Sequence, residues 1–197
     1  MSDLETTIPG QTPLTADDIK DLIPYITTRD DLNEVERINI TQGMRWLETS
    51  KKCKADPISV TTATLIHNKL FSKVWGWAGR FRKHDTNIGI HWSKIPEALK
   101  NLLEDVKYWL VNQTYPNDEL FARFHHRLVE IHAFPNGNGR HARIYTDYIA
   151  KIYGLPPFTW GGSELLDENT SNRKKYISAL QQADSKNFAP LVEFMRS

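Results

Sequence analysis

A short stretch of the chain combines the residue types that handle a polyphosphate. It contains His132, Gly137, Gly139, Arg140 and Arg143. A neutral imidazole can take a proton from a hydroxyl, and glycines let backbone N–H groups approach an anion closely. Guanidinium groups offer forked donors that suit phosphate oxygens. The stretch therefore predicts transfer of a nucleotide or phosphoryl group to a protein hydroxyl, helped mainly by positioning and charge neutralisation.

Helices must position this stretch. Apolar residues recur at helical spacing from Asn117 to Ile131, so that His132 ends one helix. The next helix is predicted from Asn138, its expected N-cap, to about Ile152. The start of that helix supplies unpaired N–H groups and a partial positive charge, both of which attract an anion.

The remaining segments also follow a helical period. Predicted helices cover about 15–22, 31–49, 59–75, 93–110, 170–184 and 188–196. Asp30 or Asp31 is the expected N-cap of the second of these. Apolar and polar residues alternate only over 80–92, around a turn at 85–87, which predicts one β-hairpin. The expected fold class is all-α, a helical bundle with a single hairpin.

Size and composition limit the classes of protein that fit. The chain has 197 residues and a formal net charge of +1, so neither nucleic acid nor a membrane is an expected partner. Its polar start is unlike a secretory signal, and a single cysteine, Cys53, excludes an internal disulfide. We therefore expect a cytoplasmic protein. An N-terminal arm and helices over 1–58 form a candidate regulatory segment ahead of a main domain over 59–197.

The stretch from His132 to Arg143 resembles the signature of the Fic family, H-x-F-x-(D/E)-G-N-G-R-x-x-R. The segment Trp75–Arg82 resembles the Trp-Ala-Gly segment that precedes a hairpin called the flap in that family. The likeness covers roughly 59–195. The chain is similar to a Fic subgroup called mobile mystery protein B, whose members share the sequence Asn-Gly-Asn-Gly-Arg-His-Ala-Arg.

Fic proteins are mainly AMP transferases, which move AMP from ATP to a Ser, Thr or Tyr hydroxyl of a target protein. The resemblance implies that the fold is a Fic-type helical bundle, that His132 is the general base, and that Phe134 anchors the loop in the core. It also implies that the flap, from Phe81 to Trp92, binds the target protein by strand pairing.

The same resemblance assigns the binding of ATP to the rest of the loop. The backbone of Gly137, Asn138 and Gly139 is expected to form an anion hole for the phosphates. Arg140 and Arg143 are expected to hold the outer phosphates.

One position departs from the family pattern. The family usually has Asp or Glu where this chain has Asn136, and that carboxylate binds the Mg²⁺ that bridges the phosphates. An amide oxygen can ligate Mg²⁺ but brings no charge, so Asn136 is a candidate metal ligand with weaker expected affinity. Alternative functions are a nucleotide-binding regulator or toxin–antitoxin component with weak activity, another Fic nucleotidyl or phosphotransfer reaction, or removal of AMP.

Many Fic proteins are inhibited by a helix with the pattern (S/T)-x-x-x-E-(G/N), whose glutamate pairs with the second arginine of the signature. No segment matches this pattern: Asp30–Val35 has the spacing but the wrong ends, and Ser163–Asn169 has one residue too many. Glu34 and Glu36 are the remaining candidates in this chain, and an inhibitory partner protein is the alternative.

Other interpretations of single residues are weaker. The histidines at 125, 126, 132 and 141 suggest a metal site, but His125 and His132 lie two helical turns apart. No HExxH pattern or set of cysteine ligands accompanies them, which disfavours a zinc hydrolase. Cys53 lacks a nearby histidine and is not an expected nucleophile.

Overall fold

The computed structural model describes residues 14–162 and 170–197, and the predicted arm over 1–13 and the Ser163–Asn169 segment lie outside them. The described residues form α-helices with no β-strand. In chain order the helices are α1 (Ala16–Lys20), α2 (Arg29–Thr49), α3 (Lys51–Ala55), α4 (Val60–Phe71), α5 (Ile95–Asn112), α6 (Asn117–Ile131), α7 (Asn138–Ile152), α8 (Thr170–Asp184) and α9 (Ala189–Arg196). Within the described ranges, no helix is long and apolar enough to cross a membrane.

Side-chain caps determine where several helices begin. Thr28, rather than Asp30 or Asp31, is the N-cap of α2, because its hydroxyl accepts from the Asp31 amide. Asp31 accepts from the Thr28 hydroxyl in return, at 2.6 Å. Ser59 caps α4 in the same way, and both contacts satisfy backbone donors that a helix start leaves unpaired.

Helix packing builds one core around α4, α6 and α7. Helix α2 crosses α4, whereas α5 and α9 pack on α6. Its largest fully buried side chains are Phe71, Trp75, Phe121, Phe124, Phe134, Tyr145 and Trp160. Gly43 permits the close crossing of α2 over α4, because a Cβ there would lie 2.7 Å from the carbonyl oxygen of Lys69. This crossing brings the inner face of α2 toward the start of α7.

The predicted hairpin over 80–92 is not formed, since the segment follows bends and turns without strand pairing. Arg82 provides the physical reason. Its guanidinium is buried and donates to the carbonyl oxygens of His84 and Ile90, so one side chain replaces the ladder that would have joined two strands. Gly89, with φ of +105°, allows the chain to turn back toward α6.

Candidate functional site

His132 lies at the C-terminal end of α6, where its backbone adopts the left-handed conformation with φ of 51° and ψ of 57°. The residue is only 5% exposed. Burial, followed by the positive charge of Arg82, lowers the pKa of His132 to about 4. The imidazole is therefore neutral near pH 7, which is the form that a general base requires.

Asn138 closes the loop that follows His132. Its side-chain oxygen accepts from the Phe134 N–H at 2.9 Å, and its side-chain nitrogen donates to the Phe134 carbonyl at 2.8 Å. Because this side chain is occupied, Asn138 is not the N-cap of α7. Gly137 takes that position with φ of +76°, and Asn138 is the first helical residue.

The start of α7 presents backbone donors that its own helical hydrogen bonds do not use. Its first i to i−4 hydrogen bond joins the His141 N–H to the Gly137 carbonyl at 2.9 Å. The amides of Asn138, Gly139 and Arg140 therefore lie ahead of the helical hydrogen-bond ladder, at the positive end of the helix. A Cβ at Gly139 would meet nothing within 4 Å, so the space beside Gly139 is open.

Asn136, the candidate metal ligand, uses its side-chain oxygen locally. This oxygen accepts from the Gly137 N–H at 2.6 Å. The atom that would bind Mg²⁺ and one donor of the expected anion hole are thus paired with each other. Among residues 14–162 and 170–197, no group of three or more His, Cys, Asp or Glu could hold a metal ion. A single amide oxygen suits Mg²⁺ when phosphate oxygens and waters complete its octahedron.

The two arginines of the loop have different surroundings. Arg140 forms an ion pair of 2.6 Å with Glu36 on α2. Arg143 instead lies over the ring of Tyr176 on α8, with its guanidinium carbon 5.5 Å from the ring centroid. In the described part of the chain, Arg143 Nε is buried without a hydrogen-bond partner, and burial lowers the pKa of this guanidinium.

Glu36 is the inhibitory candidate that reaches the loop. It is 5% exposed, and its second oxygen accepts from the indole N–H of Trp75 at 2.7 Å. Glu34, the other candidate, pairs with Arg37 on the exposed side of α2. Glu36 contacts the first arginine of the signature, whereas the resemblance implies a contact with the second.

The sequence pattern indicates no function for Arg82, although Arg82 links the flap segment to His132. Its Nε donates to the His132 carbonyl at 2.7 Å, and another nitrogen reaches the Ile131 carbonyl at 3.5 Å. These are carbonyls at the negative end of α6, where a cation is stabilised. On the same segment, a Cβ at Gly89 would lie 2.6 Å from the Cβ of His132. The flap segment therefore rests directly on the histidine.

The other histidines of this region are engaged separately. His125 contacts the hydroxyl of Tyr176 at 2.8 Å, and His126 contacts a carboxylate oxygen of Asp184 at 2.7 Å. His141 contacts the carbonyl of Ala63. These contacts are typical of structural histidines.

Comparison with known families shows which proteins share this loop and its flanking segment. Residues 57–150 match the profile of the Fic/DOC family. The match contains the whole loop from His132 to Arg143 and the Trp75–Arg82 segment. Through these residues the chain is similar to members of the Fic/DOC family.

Curated relatives of this chain carry the name of an enzyme. A protein adenylyltransferase Fic from Nematostella vectensis is 25% identical over 169 residues, which cover 83% of this chain and 38% of the relative. The protein adenylyltransferase fic-1 of Caenorhabditis elegans is 29% identical over 168 residues, covering 83% and 31%. The chain thus spans about a third of the length of these relatives.

Solved Fic structures share the helical fold. Fic-1 (residues 134–508) from C. elegans superposes with a TM-score of 0.65 at 25% identity, covering 82% of this chain and 48% of that one. BepC from Bartonella tribocorum, solved with bound AMPPNP, has a TM-score of 0.66 at 18% identity and 87% coverage of both chains. The second likeness concerns the fold alone.

Proposed function

We propose that this chain is a protein adenylyltransferase, which transfers AMP from ATP to a hydroxyl side chain of a target protein. The observation that carries the proposal is the position of a buried, neutral His132 directly ahead of the glycine loop and the amino end of α7. The adenylyltransferase names of the curated relatives support the same reaction.

In this reaction His132 takes the proton of the target hydroxyl. The hydroxyl oxygen forms a bond to the α-phosphorus of ATP while the bond from that phosphorus to the β-phosphate bridging oxygen breaks, and pyrophosphate leaves. The amides of Gly137, Asn138 and Gly139 stabilise the charge on the phosphate oxygens. Arg140 and Arg143 hold the outer phosphates.

Asn136 connects metal binding with the anion hole. Its side-chain oxygen now accepts from the Gly137 N–H. A rotation of the Asn136 side chain would release both groups together, the N–H for phosphate and the oxygen for Mg²⁺. The ion, when bound, neutralises charge on the outer phosphates.

The segment from Phe81 to Trp92 is proposed to hold the target protein. It rests on His132 through Gly89, and it exposes two large apolar side chains, Ile88 and Trp92, each 41% accessible. A segment without an internal partner strand leaves backbone groups that can pair with a target segment. We propose that this pairing supplies the β-structure of the flap.

We also propose that Glu36 inhibits the enzyme from within the chain. Its carboxylate holds Arg140, a guanidinium assigned to the outer phosphates, so nucleotide must compete with the ion pair. Glu36 belongs to the 1–58 segment, which fits the proposed regulatory function of that segment. A separate inhibitory partner is the alternative, and membership of the mobile mystery protein B subgroup and a cytoplasmic location remain proposals.

Labelled ATP tests the reaction. Incubation with candidate target proteins should transfer label from the α-phosphate and not from the γ-phosphate. The His132→Ala variant should bind ATP and transfer nothing. Equal transfer of γ-label would instead identify a kinase, and unchanged transfer by His132→Ala would overturn the assignment of the base.

A nucleotide-binding regulator with weak turnover is the second candidate, favoured by the amide at Asn136. The Asn136→Asp variant separates the two. If only this variant transfers AMP, the parent chain is a binding protein. If both transfer AMP and the variant needs less Mg²⁺, the parent is an enzyme with a weak metal site. Release of AMP from a modified target in the same assay would reveal the reverse reaction.

A further inference from the structure

A second buried histidine, His67 on α4, touches the back of the catalytic loop. Its side chain is fully buried. The ring stacks on Phe134 with centroids 3.7 Å apart and planes 19° apart, and it also contacts Phe71. Stacking alone is typical of an ordinary core residue. Any further role of His67 must come from the hydrogen bonds of its two ring nitrogens.

Both nitrogens of His67 contact backbone groups. The Gly79 N–H donates to Nδ1 at 3.0 Å, and Nε2 lies 3.1 Å from the carbonyl oxygen of Asn136. A backbone N–H can only donate, so Nδ1 is the acceptor and the ring proton resides on Nε2. Nε2–H therefore donates to Asn136, and a single neutral tautomer satisfies both contacts.

The peptide group that contains the Gly79 N–H has a second hydrogen bond, at its carbonyl end. The side-chain amide of Asn68, the next residue on α4, donates to the Ala78 carbonyl at 3.0 Å. The Ala78 carbonyl and the Gly79 N–H belong to the same peptide group. Two adjacent residues of α4 therefore hold this peptide at both ends, and its N–H has a set direction toward Nδ1.

The Asn136 contact acts on another single peptide group. The Asn136 carbonyl and the Gly137 N–H belong to one trans peptide, in which these two groups point in opposite directions. A hydrogen bond to the carbonyl thus sets the direction of the N–H, the first donor of the proposed anion hole. Control is needed here, because Gly137, with φ of +76°, lets the preceding peptide turn over at little cost.

We propose that His67 is a positioning residue for the phosphate-binding loop, since it orients the Asn136–Gly137 peptide so that the Gly137 N–H faces the nucleotide. The proposal rests on the adenylyltransferase function. All donors run in one direction, from Asn68 through the Ala78–Gly79 peptide and the imidazole to the Asn136–Gly137 peptide. Hydrogen bonds in such a chain polarise one another, which strengthens the last N–H as a donor. This N–H now donates to the Asn136 side-chain oxygen, and it becomes a donor to phosphate when that side chain rotates away.

The electrostatics keep this arrangement in place. Burial holds the pKa of His67 well below its usual range, and the neighbouring His141 and Arg140 act in the same direction. A protonated ring would carry a hydrogen on Nδ1, facing the hydrogen of the Gly79 amide. The neutral form therefore predominates at neutral pH.

Three substitutions separate the contacts. His67→Phe keeps a flat ring against Phe134 but loses both hydrogen bonds. His67→Gln keeps a donor near the position of Nε2, and His67→Asn keeps an acceptor near the position of Nδ1. The matched control is His141→Phe, which removes another buried histidine that packs on Phe134 but contacts the Ala63 carbonyl instead of the loop.

The measurement is the ratio of affinities for ATP and adenosine, obtained by calorimetry on the full chain. We expect His67→Phe to weaken ATP binding by roughly tenfold to a hundredfold, as for a lost hydrogen bond to a charged group, with adenosine affinity unchanged. His67→Gln should recover most of this loss, whereas His67→Asn should not. Simple unfolding would reduce the number of binding sites for both ligands equally and leave the ratio unchanged.

The outcomes distinguish this proposal from the proposed function. If the unaltered protein binds no ATP, the adenylyltransferase function fails. If it binds ATP and His67→Phe has the same affinity ratio, or His141→Phe loses as much, the positioning proposal is wrong and the function stands. Should His67→Phe not fold, nitrogen NMR of the unaltered protein decides. A His67 proton found on Nδ1 would overturn the proposal.

Discussion

Glu36 and Arg140 form an ion pair of 2.6 Å although 104 residues separate them in the chain. The carboxylate has both oxygens engaged, one by Arg140 and the other by the Trp75 indole. The arginine proposed to hold the outer phosphates is thereby paired with a helix that lies outside the 57–150 match.

Removing the charge at this contact should increase the proposed transfer of AMP. Glu36→Gln keeps an acceptor for the Trp75 indole but releases Arg140, so we expect tighter ATP binding and faster AMP transfer. Calorimetry and initial rates with α-labelled ATP measure the two effects. Glu34→Gln is the control, because Glu34 pairs only with Arg37 among the contacts described above. Slower transfer by Glu36→Gln with unchanged ATP affinity would contradict inhibition by this residue.

Arg82 should influence both the flap and the base. Its positive charge helps to lower the pKa of His132, although burial is the larger cause. Arg82→Gln should therefore raise the pKa of His132 from about 4 part of the way toward its ordinary value, and the acid limb of the transfer rate should move to higher pH. NMR titration of the His132 ring measures this shift.

The matched control for that experiment is Arg80→Gln. Arg80 is exposed and lies near Asp21 and the Gly76 carbonyl, away from the base. Equal shifts of the His132 pKa in both variants would show that the charge of Arg82 has no specific effect.

Acid should destabilise this protein at a pH where most domains are stable. Burial lowers the pKa of His125 to about 3 and those of His132 and His141 to about 4. The unfolded chain therefore binds more protons than the folded one below about pH 6.5, and stability is lost as the pH falls from there to about 4. Each such histidine contributes up to about 1.4 kcal/mol per pH unit in that window.

One carboxyl group, that of Asp147, has the opposite effect on how stability depends on pH. Burial raises the pKa of Asp147 to about 7, so its contribution is present at low pH and is lost as the pH rises through 7. Because the three histidines outnumber Asp147, their effect should dominate. Urea unfolding should therefore give a lower free energy of unfolding at pH 5 than at pH 7. His141→Phe should reduce this pH dependence. An unchanged difference between the two pH values in that variant would disprove the contribution of His141.

Gly137 and Gly139 should respond differently to alanine. Gly137 has φ of +76°, and a Cβ there would lie 2.6 Å from the ring of Phe71, so Gly137→Ala should cost about 1–3 kcal/mol of stability. Gly139 has open space and lies in α7, so Gly139→Ala should not lower stability. Its methyl group should instead weaken ATP binding at the helix start. Thermal melts and calorimetry separate the effects, and equal loss of stability would contradict the distinction.

Local patterns predicted much of the helical framework. The predicted helices over 170–184 and 188–196 agree closely with α8 and α9, because apolar spacing and helix breakers act within one segment. The hairpin predicted over 80–92 is not formed, because a pattern that acts within one segment does not include contacts from side chains that fold back on it. Alternating residues favour a strand, but the buried guanidinium of Arg82 supplies donors to the carbonyls of this segment. No alternation pattern contains that information.

The proposed chemistry of the loop can be predicted from local sequence, since His132, the glycines and the two arginines are neighbours along one short stretch and need only one turn between two helices. What surrounds that loop follows from the packing of distant segments. Glu36, His67 and Arg82 reach it from separate segments. Their contacts depend on how α2 and α4 pack against α7 and on how the flap segment folds onto α6. Such contacts form when buried surfaces fit together, and sequence spacing does not encode that fit.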